Sequence, residues 1–138
     1  MDRRRRCWVR LRITYVTEHQ MKDKFADWLR RQRTKGEPIY FLKVHGSKYQ
    51  RNGVADYWLI VRGASVQIEM KAANKPCRGT PLQEKELSDH ARAGGHSYVA
   101  NSFAACKDVV LCFLGEGPWN MEAIQGHIES GRLRRELQ

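Results

Sequence analysis

The sequence contains no apolar run long enough to cross a membrane. Its longest, Val109–Leu114, has six residues, whereas a membrane-spanning helix needs about 20. Four arginines near the N-terminus are not followed by the apolar stretch that a secretory signal requires. We therefore expect a cytoplasmic protein that has no membrane partner.

The sequence also lacks a cysteine pattern typical of a metal site or a disulfide framework. The four cysteines (Cys7, Cys77, Cys106 and Cys112) form no C-x-x-C pair and have no histidine at zinc-finger spacing. Scattered cysteines in an intracellular protein are usually reduced. We therefore expect neither a zinc site nor a disulfide framework.

Acidic residues are in the minority. The 138-residue chain has 25 Lys and Arg but 15 Asp and Glu, which gives it a net charge of +10. A charge of this sign and size favours a polyanionic partner, above all nucleic acid, because neutralised phosphates release their counterions. A membrane surface fits less well, since no predicted helix pairs a basic face with a clean apolar stripe.

Hydrophobic periodicity predicts the element order β-α-β-β-β-α-β-α-α. Residues 8–16 alternate between apolar and polar or basic positions and predict a half-buried strand with a basic outer face. Thr17 and Gln20 form a capping box that starts a helix ending near Arg33. The later elements are strands at 39–44, 55–61, 65–71 and 96–100, helices at 80–94 and 102–114, and a last helix capped by Asn120.

This order predicts one α/β domain with a mixed central sheet flanked by helices. Residues 1–16 would add a basic arm and an extra strand, and residues 17–114 would form the core. Residues 115–138 would supply a C-terminal helix, which carries Ile124 and Ile128, and a basic tail.

The strands at 55–61 and 65–71 carry three charged side chains that suit metal chemistry. Asp56 opens the first strand, while Glu69 and Lys71 lie two apart on the second and so project from one face. Carboxylates on neighbouring strands suit Mg²⁺ or Mn²⁺, and a lysine beside them can stabilise negative charge on a phosphate. Taken alone, the pattern also fits a surface ion pair between Lys71 and either carboxylate.

Three stretches resemble the signature of the PD-(D/E)xK nucleases: Gly53-Val54-Ala55-Asp56, Ile68-Glu69-Met70-Lys71 and Leu82-Gln83. More closely, the chain is similar to the virus-type replication-repair nuclease (VRR-NUC) domain of the free-standing viral or bacterial type.

Further features match this family in its order, and the likeness covers about residues 17–112. They are Glu18 in the first helix, Lys43-Val44-His45-Gly46-Ser47 before the Asp56 strand, and Tyr98-Val99-Ala100-Asn101-Ser102 after the second helix. The family usually has proline where this chain has Ala55.

The resemblance implies a restriction-endonuclease-like core and cleavage of DNA that depends on Mg²⁺ or Mn²⁺, with no small-molecule cofactor. Asp56 and Glu69 would be metal ligands together with the main-chain carbonyl of Met70, and Lys71 would be the catalytic lysine. Gln83 would position the site from its helix, although Thr80-x-x-Gln83 is also a capping box. Glu18 would be an outer-sphere metal residue or would complement the helix dipole.

Basic residues on both sides of the site in sequence are the candidate contacts to the DNA backbone: His45, Lys48, Arg51, Lys75 and Arg78. His45 also fits an ordinary polar loop position.

Free-standing members of the family resemble junction-resolving enzymes, which implies a homodimer that cuts four-way (Holliday) junctions, in a bacterial host if the gene is viral. Strand 8–16 and the helix with Ile124 and Ile128 could form the dimer, or could simply cover this chain's own core. The alternatives are a repair nuclease that makes one cut at a flap and a non-catalytic DNA-binding module. A site-specific restriction enzyme would need target-reading segments that 138 residues hardly supply.

Overall fold

The computed structural model describes residues 16–44, 52–115 and 119–137 of the chain. The described elements follow in the order α1 (Glu18–Thr34), β1 (Ile39–Lys43), β2 (Tyr57–Val61), β3 (Ala64–Met70), α2 (Pro81–Arg92), β4 (His96–Ala100), α3 (Phe103–Leu114), α4 (Trp119–Glu129) and β5 (Leu133–Arg135). The strand predicted at 8–16 lies outside the described residues except for Val16, and so do His45, Lys48 and Arg51.

The five strands form one mixed sheet in the order β1-β2-β3-β4-β5. Strands β3 and β4 are parallel, and the other neighbours are antiparallel. The predicted hairpin of β2 and β3 is confirmed, and its turn places Arg62 and Gly63 at positive φ (47° and 82°), as the tightest hairpin connections require. The prediction of an α/β domain with a mixed sheet is therefore confirmed.

Helices α1 and α3 pack on one face of the sheet. The apolar stripe predicted for α1, which includes Met21, Phe25 and Leu29, is buried in one cluster with alternate residues of the strands, such as Leu59 and Ile68. Helix α2 covers the other face of β3 and β4, where its Leu87 packs against Ala55 and Val99. On the part of that second face formed by β1 and β2, the described side chains Tyr40, Leu42, Trp58 and Ile60 are exposed.

Local capping motifs determine where the two helices beside the candidate site begin. Thr17 and Gln20 form the predicted capping box at the start of α1. Thr80 and Gln83 form the second box at the start of α2, where Pro81 takes the first helical position. These boxes fix where each helix begins, and with it which side chains lie in its first turn.

The C-terminal segment differs from the prediction. Residues Leu133–Arg135 form an edge strand antiparallel to β4 rather than a basic tail, because Leu133 is buried in the main core. Helix α4 already begins at Trp119, so Asn120 lies inside the helix and is not its N-cap. Ile124 is buried and Ile128 partly buried against the same core, so these two side chains cover the core of their own chain.

Within the described ranges, no helix combines the length and the apolar character needed to cross a membrane.

Candidate active site

The fold brings four chain segments together at the end of the sheet where β2 begins and β3 ends. Asp56 immediately precedes β2, and Glu69 lies at the end of β3; because these strands are antiparallel, the two residues meet. Glu18 is the first residue of α1, and Gln83 is the third of α2. The structure therefore gathers the predicted residues Glu18, Asp56, Glu69, Lys71 and Gln83.

Three carboxylates converge at this end of the sheet. One side-chain oxygen from each of Glu18, Asp56 and Glu69 lies within 4.8 Å of the other two. Main-chain hydrogen bonds hold two of them: Met70 N–H donates to Asp56 Oδ2 (2.8 Å), and Asp56 N–H donates to Glu69 Oε2 (3.2 Å). The acidic side chains are thus oriented by the backbone of the hairpin that carries them.

Glu69 is buried, with 2% of its surface exposed. Burial, and then the nearby charge of Asp56, raise the pKa of Glu69 from 4.5 to about 8, while Lys71 acts in the opposite direction. A buried carboxylate beside a second carboxylate is costly unless a cation neutralises it. Three carboxylates that converge in this way could hold a divalent cation.

Lys71 and Gln83 form the second half of the site. Lys71 Nζ lies 3.4 Å from Glu69 Oε1 and donates a hydrogen bond to Gln83 Oε1 (3.0 Å). Gln83 Nε2 donates to Glu69 Oε1 (2.9 Å), while its Oε1 also accepts the capping bond from Thr80 N–H. One side chain therefore both caps α2 and contacts the residues of the candidate site, so its geometry is compatible with both interpretations.

Met70 enters the site through its main chain. Its side chain is fully buried in the core, and its N–H is the donor that holds Asp56. The role of its carbonyl as a metal ligand stays a prediction.

Lys22 is a site residue that the sequence analysis missed. Its Nζ lies 2.8 Å from Asp56 Oδ1 and 3.0 Å from Glu18 Oε1. Burial lowers the pKa of Lys22, but Asp56 and Glu18 outweigh it and the net pKa is raised. The spacing of Glu18 and Lys22, four residues apart on a predicted helix, was the available signal, because such residues share a face.

The loop between β3 and α2 carries the two described members of the predicted DNA-contacting set. Lys75 and Arg78 are both exposed, and the carbonyl of Lys75 accepts a hydrogen bond from Asn101 Nδ2 (2.7 Å). They lie on the loop that leaves the site directly after Lys71.

Arg134, in the segment expected to be a tail, anchors this loop. Its Nε donates to Cys77 O (2.9 Å), and its Nη2 contacts both carboxylate oxygens of Glu84 at 2.6 Å. Glu84 in turn accepts from Gly79 N–H (2.7 Å). The edge strand β5 therefore fixes the basic loop and the start of α2 together.

A groove lies between α1 and the start of α3. It is lined by α1, the loop after β3, the start of α3 and the turn before β5, and includes Lys24, Ala73, Asn101 and Arg132. Lys24 also lies over the ring of Phe103, 4.6 Å from its centroid. Two cations therefore line a groove that shares α1 and the basic loop with the acidic site.

No protein-family model matches this chain, and no curated protein is significantly similar to it.

Proposed function

We propose that this protein is a Mg²⁺- or Mn²⁺-dependent endonuclease with a PD-(D/E)xK core of the VRR-NUC type, which hydrolyses phosphodiester bonds of DNA. The observation that carries the proposal is the convergence of Glu18, Asp56 and Glu69 beside Lys71. Separate elements supply these side chains, and main-chain hydrogen bonds orient two of the carboxylates.

Each of the site residues would have its own chemical role. Asp56 and Glu69 would hold the cation, which when bound would polarise a phosphate oxygen and lower the pKa of a water molecule. Lys71 would stabilise the negative charge that develops on the phosphate. Gln83 would keep Lys71 and Glu69 in place, because it bonds to both.

The charge distribution supports DNA as the substrate. The chain has a net charge of +10, and four exposed cations lie on α1, on the loop after Lys71 and in the turn before β5: Lys24, Lys75, Arg78 and Arg132. Contacts of this type bind the phosphate backbone and give affinity without base specificity. His45, Lys48 and Arg51 belong to the same proposed contact set.

A homodimer that cuts four-way junctions is the assembly that we propose, because two matched sites can make two opposed nicks. The exposed apolar side chains of β1 and β2 offer a surface for the second copy. Four apolar side chains there are each 40–55% exposed: Tyr40, Leu42, Trp58 and Ile60. They are contiguous through cross-strand pairing, and an uncharged patch lets two copies of a +10 chain approach without opposing like charges.

The decisive experiment compares cleavage by the wild type with that by Asp56→Asn and Lys71→Ala. We expect each variant to lose about a hundredfold or more in cleavage rate and to keep its DNA affinity in Ca²⁺, since affinity comes from the basic surface. Asp27→Asn and Lys35→Ala, at exposed positions of the α1 segment, are matched controls that should cut normally. Cleavage that persists in excess EDTA would overturn the metal mechanism.

The substrate panel contains single strands, duplexes, flaps and four-way junctions, each labelled on every strand. Paired symmetrical nicks in the junction support the proposed activity. One nick at a flap would indicate the single-cut repair nuclease, and binding without cleavage in Mg²⁺ and in Mn²⁺ would indicate the non-catalytic module.

A further inference from the structure

The ammonium group of Lys22 lies between two of the three carboxylates of the candidate cation site. It is 2.8 Å from Asp56 and 3.0 Å from Glu18, and 23% of its side chain is exposed. Glu18 and Lys22 share one face of α1, whereas Asp56 comes from the hairpin. The contact to Asp56 is therefore tertiary and joins α1 to the sheet at the site itself.

The core fixes the backbone position of Lys22. Its carbonyl accepts a hydrogen bond from the hydroxyl of Tyr57 (2.7 Å), and Tyr57 is fully buried. The Tyr57 ring meets that of Phe25, also on α1, edge-on at 5.1 Å between centroids. The backbone is therefore held in place, and the ammonium group can move only by rotation about the bonds of its flexible four-carbon side chain.

A divalent cation held by Asp56 and Glu69 would lie within a few ångströms of this ammonium group, because the group is itself 2.8 Å from Asp56. Two positive charges a few ångströms apart repel strongly in a partly buried site. The oxygens that Lys22 contacts also belong to two of the three residues of the acidic cluster. Metal entry therefore requires the ammonium group to leave, and a DNA phosphate at the site would provide its new partner.

We propose that Lys22 is a built-in counter-ion that competes with the divalent cation and, once displaced, binds the phosphate backbone of the DNA. It makes metal binding and DNA binding mutually dependent, because DNA supplies the negative charge that Lys22 loses when the cation arrives. This proposal rests on the proposed metal-dependent function and assigns a role to a residue that the predicted site did not contain.

The test measures Mn²⁺ binding directly, by isothermal titration and by the electron paramagnetic resonance signal of free Mn²⁺, on protein without DNA. We expect Lys22→Met to bind Mn²⁺ about tenfold more tightly than the wild type, as the loss of one competing ion pair implies. Lys35→Met is the matched control, because Lys35 is an exposed cation at the opposite, C-terminal end of the same helix. Its Mn²⁺ affinity should not change.

The second arm adds an uncleavable phosphorothioate duplex. In the wild type, DNA should tighten Mn²⁺ binding; in Lys22→Met, this coupling should be largely lost. Lys22→Gln keeps hydrogen-bonding capacity without the charge and should behave like Lys22→Met, so it replaces that variant if the latter fails to fold.

Two results would overturn the inference in distinguishable ways. If both Lys22 variants are folded and bind Mn²⁺ no more tightly than the wild type, Lys22 does not compete with the cation, while the proposed function stands. If the wild type itself binds no Mn²⁺, with or without DNA, the proposed function fails and the role of Lys22 fails with it.

Discussion

Glu69 provides a prediction that separates stability from function. The side chain is buried beside Asp56, and its pKa is raised to about 8 by burial and by the charge of Asp56. We expect the metal-free protein to lose stability as the pH rises, and Glu69→Gln to remove this dependence. The same substitution should abolish Mn²⁺ binding and cleavage, because it deletes a proposed ligand.

The sign and size follow from proton linkage. A group whose pKa is higher in the folded state gives its full stabilisation below its unfolded value of 4.5 and loses it as the pH rises toward about 8. Each pH unit in this window costs up to about 1.4 kcal/mol. Between pH 5 and 7, the free energy of unfolding of the wild type should therefore fall, relative to Glu69→Gln, by on the order of 3 kcal/mol.

The pH dependence is more informative than the absolute stability. Glu69 accepts hydrogen bonds from Asp56 N–H at one oxygen and from Gln83 Nε2 at the other, so an amide at this position loses one acceptor. That loss costs about 1 kcal/mol at any pH, whereas the linkage term changes with pH.

Urea unfolding in excess EDTA at pH 5, 6, 7 and 8 measures the effect. Glu122→Gln, at an exposed position of α4, is the matched control and should give curves parallel to those of the wild type. Curves for the wild type and Glu69→Gln that stay parallel between pH 5 and 8 would refute the reasoning, since Glu69 would then be no harder to ionise in the folded protein than in the unfolded one.

Three further predictions concern the surface. Arg134→Gln should lower the free energy of unfolding by about 2 kcal/mol, because it removes a charge-assisted contact to Glu84; urea unfolding tests this, and unchanged stability would contradict it. Leu42→Glu should convert a dimer to a monomer in light scattering, while Leu137→Glu, at an 82% exposed position away from the patch, should not; a dimer that survives Leu42→Glu would exclude the β1–β2 face. DNA affinity should fall steeply with salt, and Lys75→Ala should reduce the slope of log K against log salt by about 1; a salt-independent affinity would indicate a base-reading protein.

Local sequence accounts for the parts of the fold that were predicted well. The capping boxes at Thr17 and Thr80 act within four residues, and they helped to predict both helix starts. The β2–β3 hairpin was equally local, since a turn at Arg62 and Gly63 joins two apolar strands. Asp56, Glu69 and Lys71 lie on this hairpin, so their proximity followed from its register.

Elements that depend on distant partners were harder to predict. Strand β5 has three residues, two of them arginines, and its strand character comes from pairing with β4 and from the burial of Leu133. Nothing within so short a segment distinguishes it from a basic tail. Arg134 was missed for the same reason, because its partner Glu84 lies 50 residues away in sequence.

Lys22 shows why a motif gives an incomplete account of a site. The signature names residues on the hairpin and on the second helix, whereas the charge that neutralises Asp56 comes from α1. Three carboxylates that converge in a folded protein need nearby cations before any metal arrives. The lysines that supply this charge therefore act directly on metal affinity. The side chains that stabilise the metal-free fold, Lys22 and Lys71, are therefore the ones whose substitution should change how the site loads and reacts. For this reason the stability measurements on Glu69 and the Mn²⁺ titrations on Lys22 both report on the charge balance of the site, the first through an acidic group and the second through a basic one.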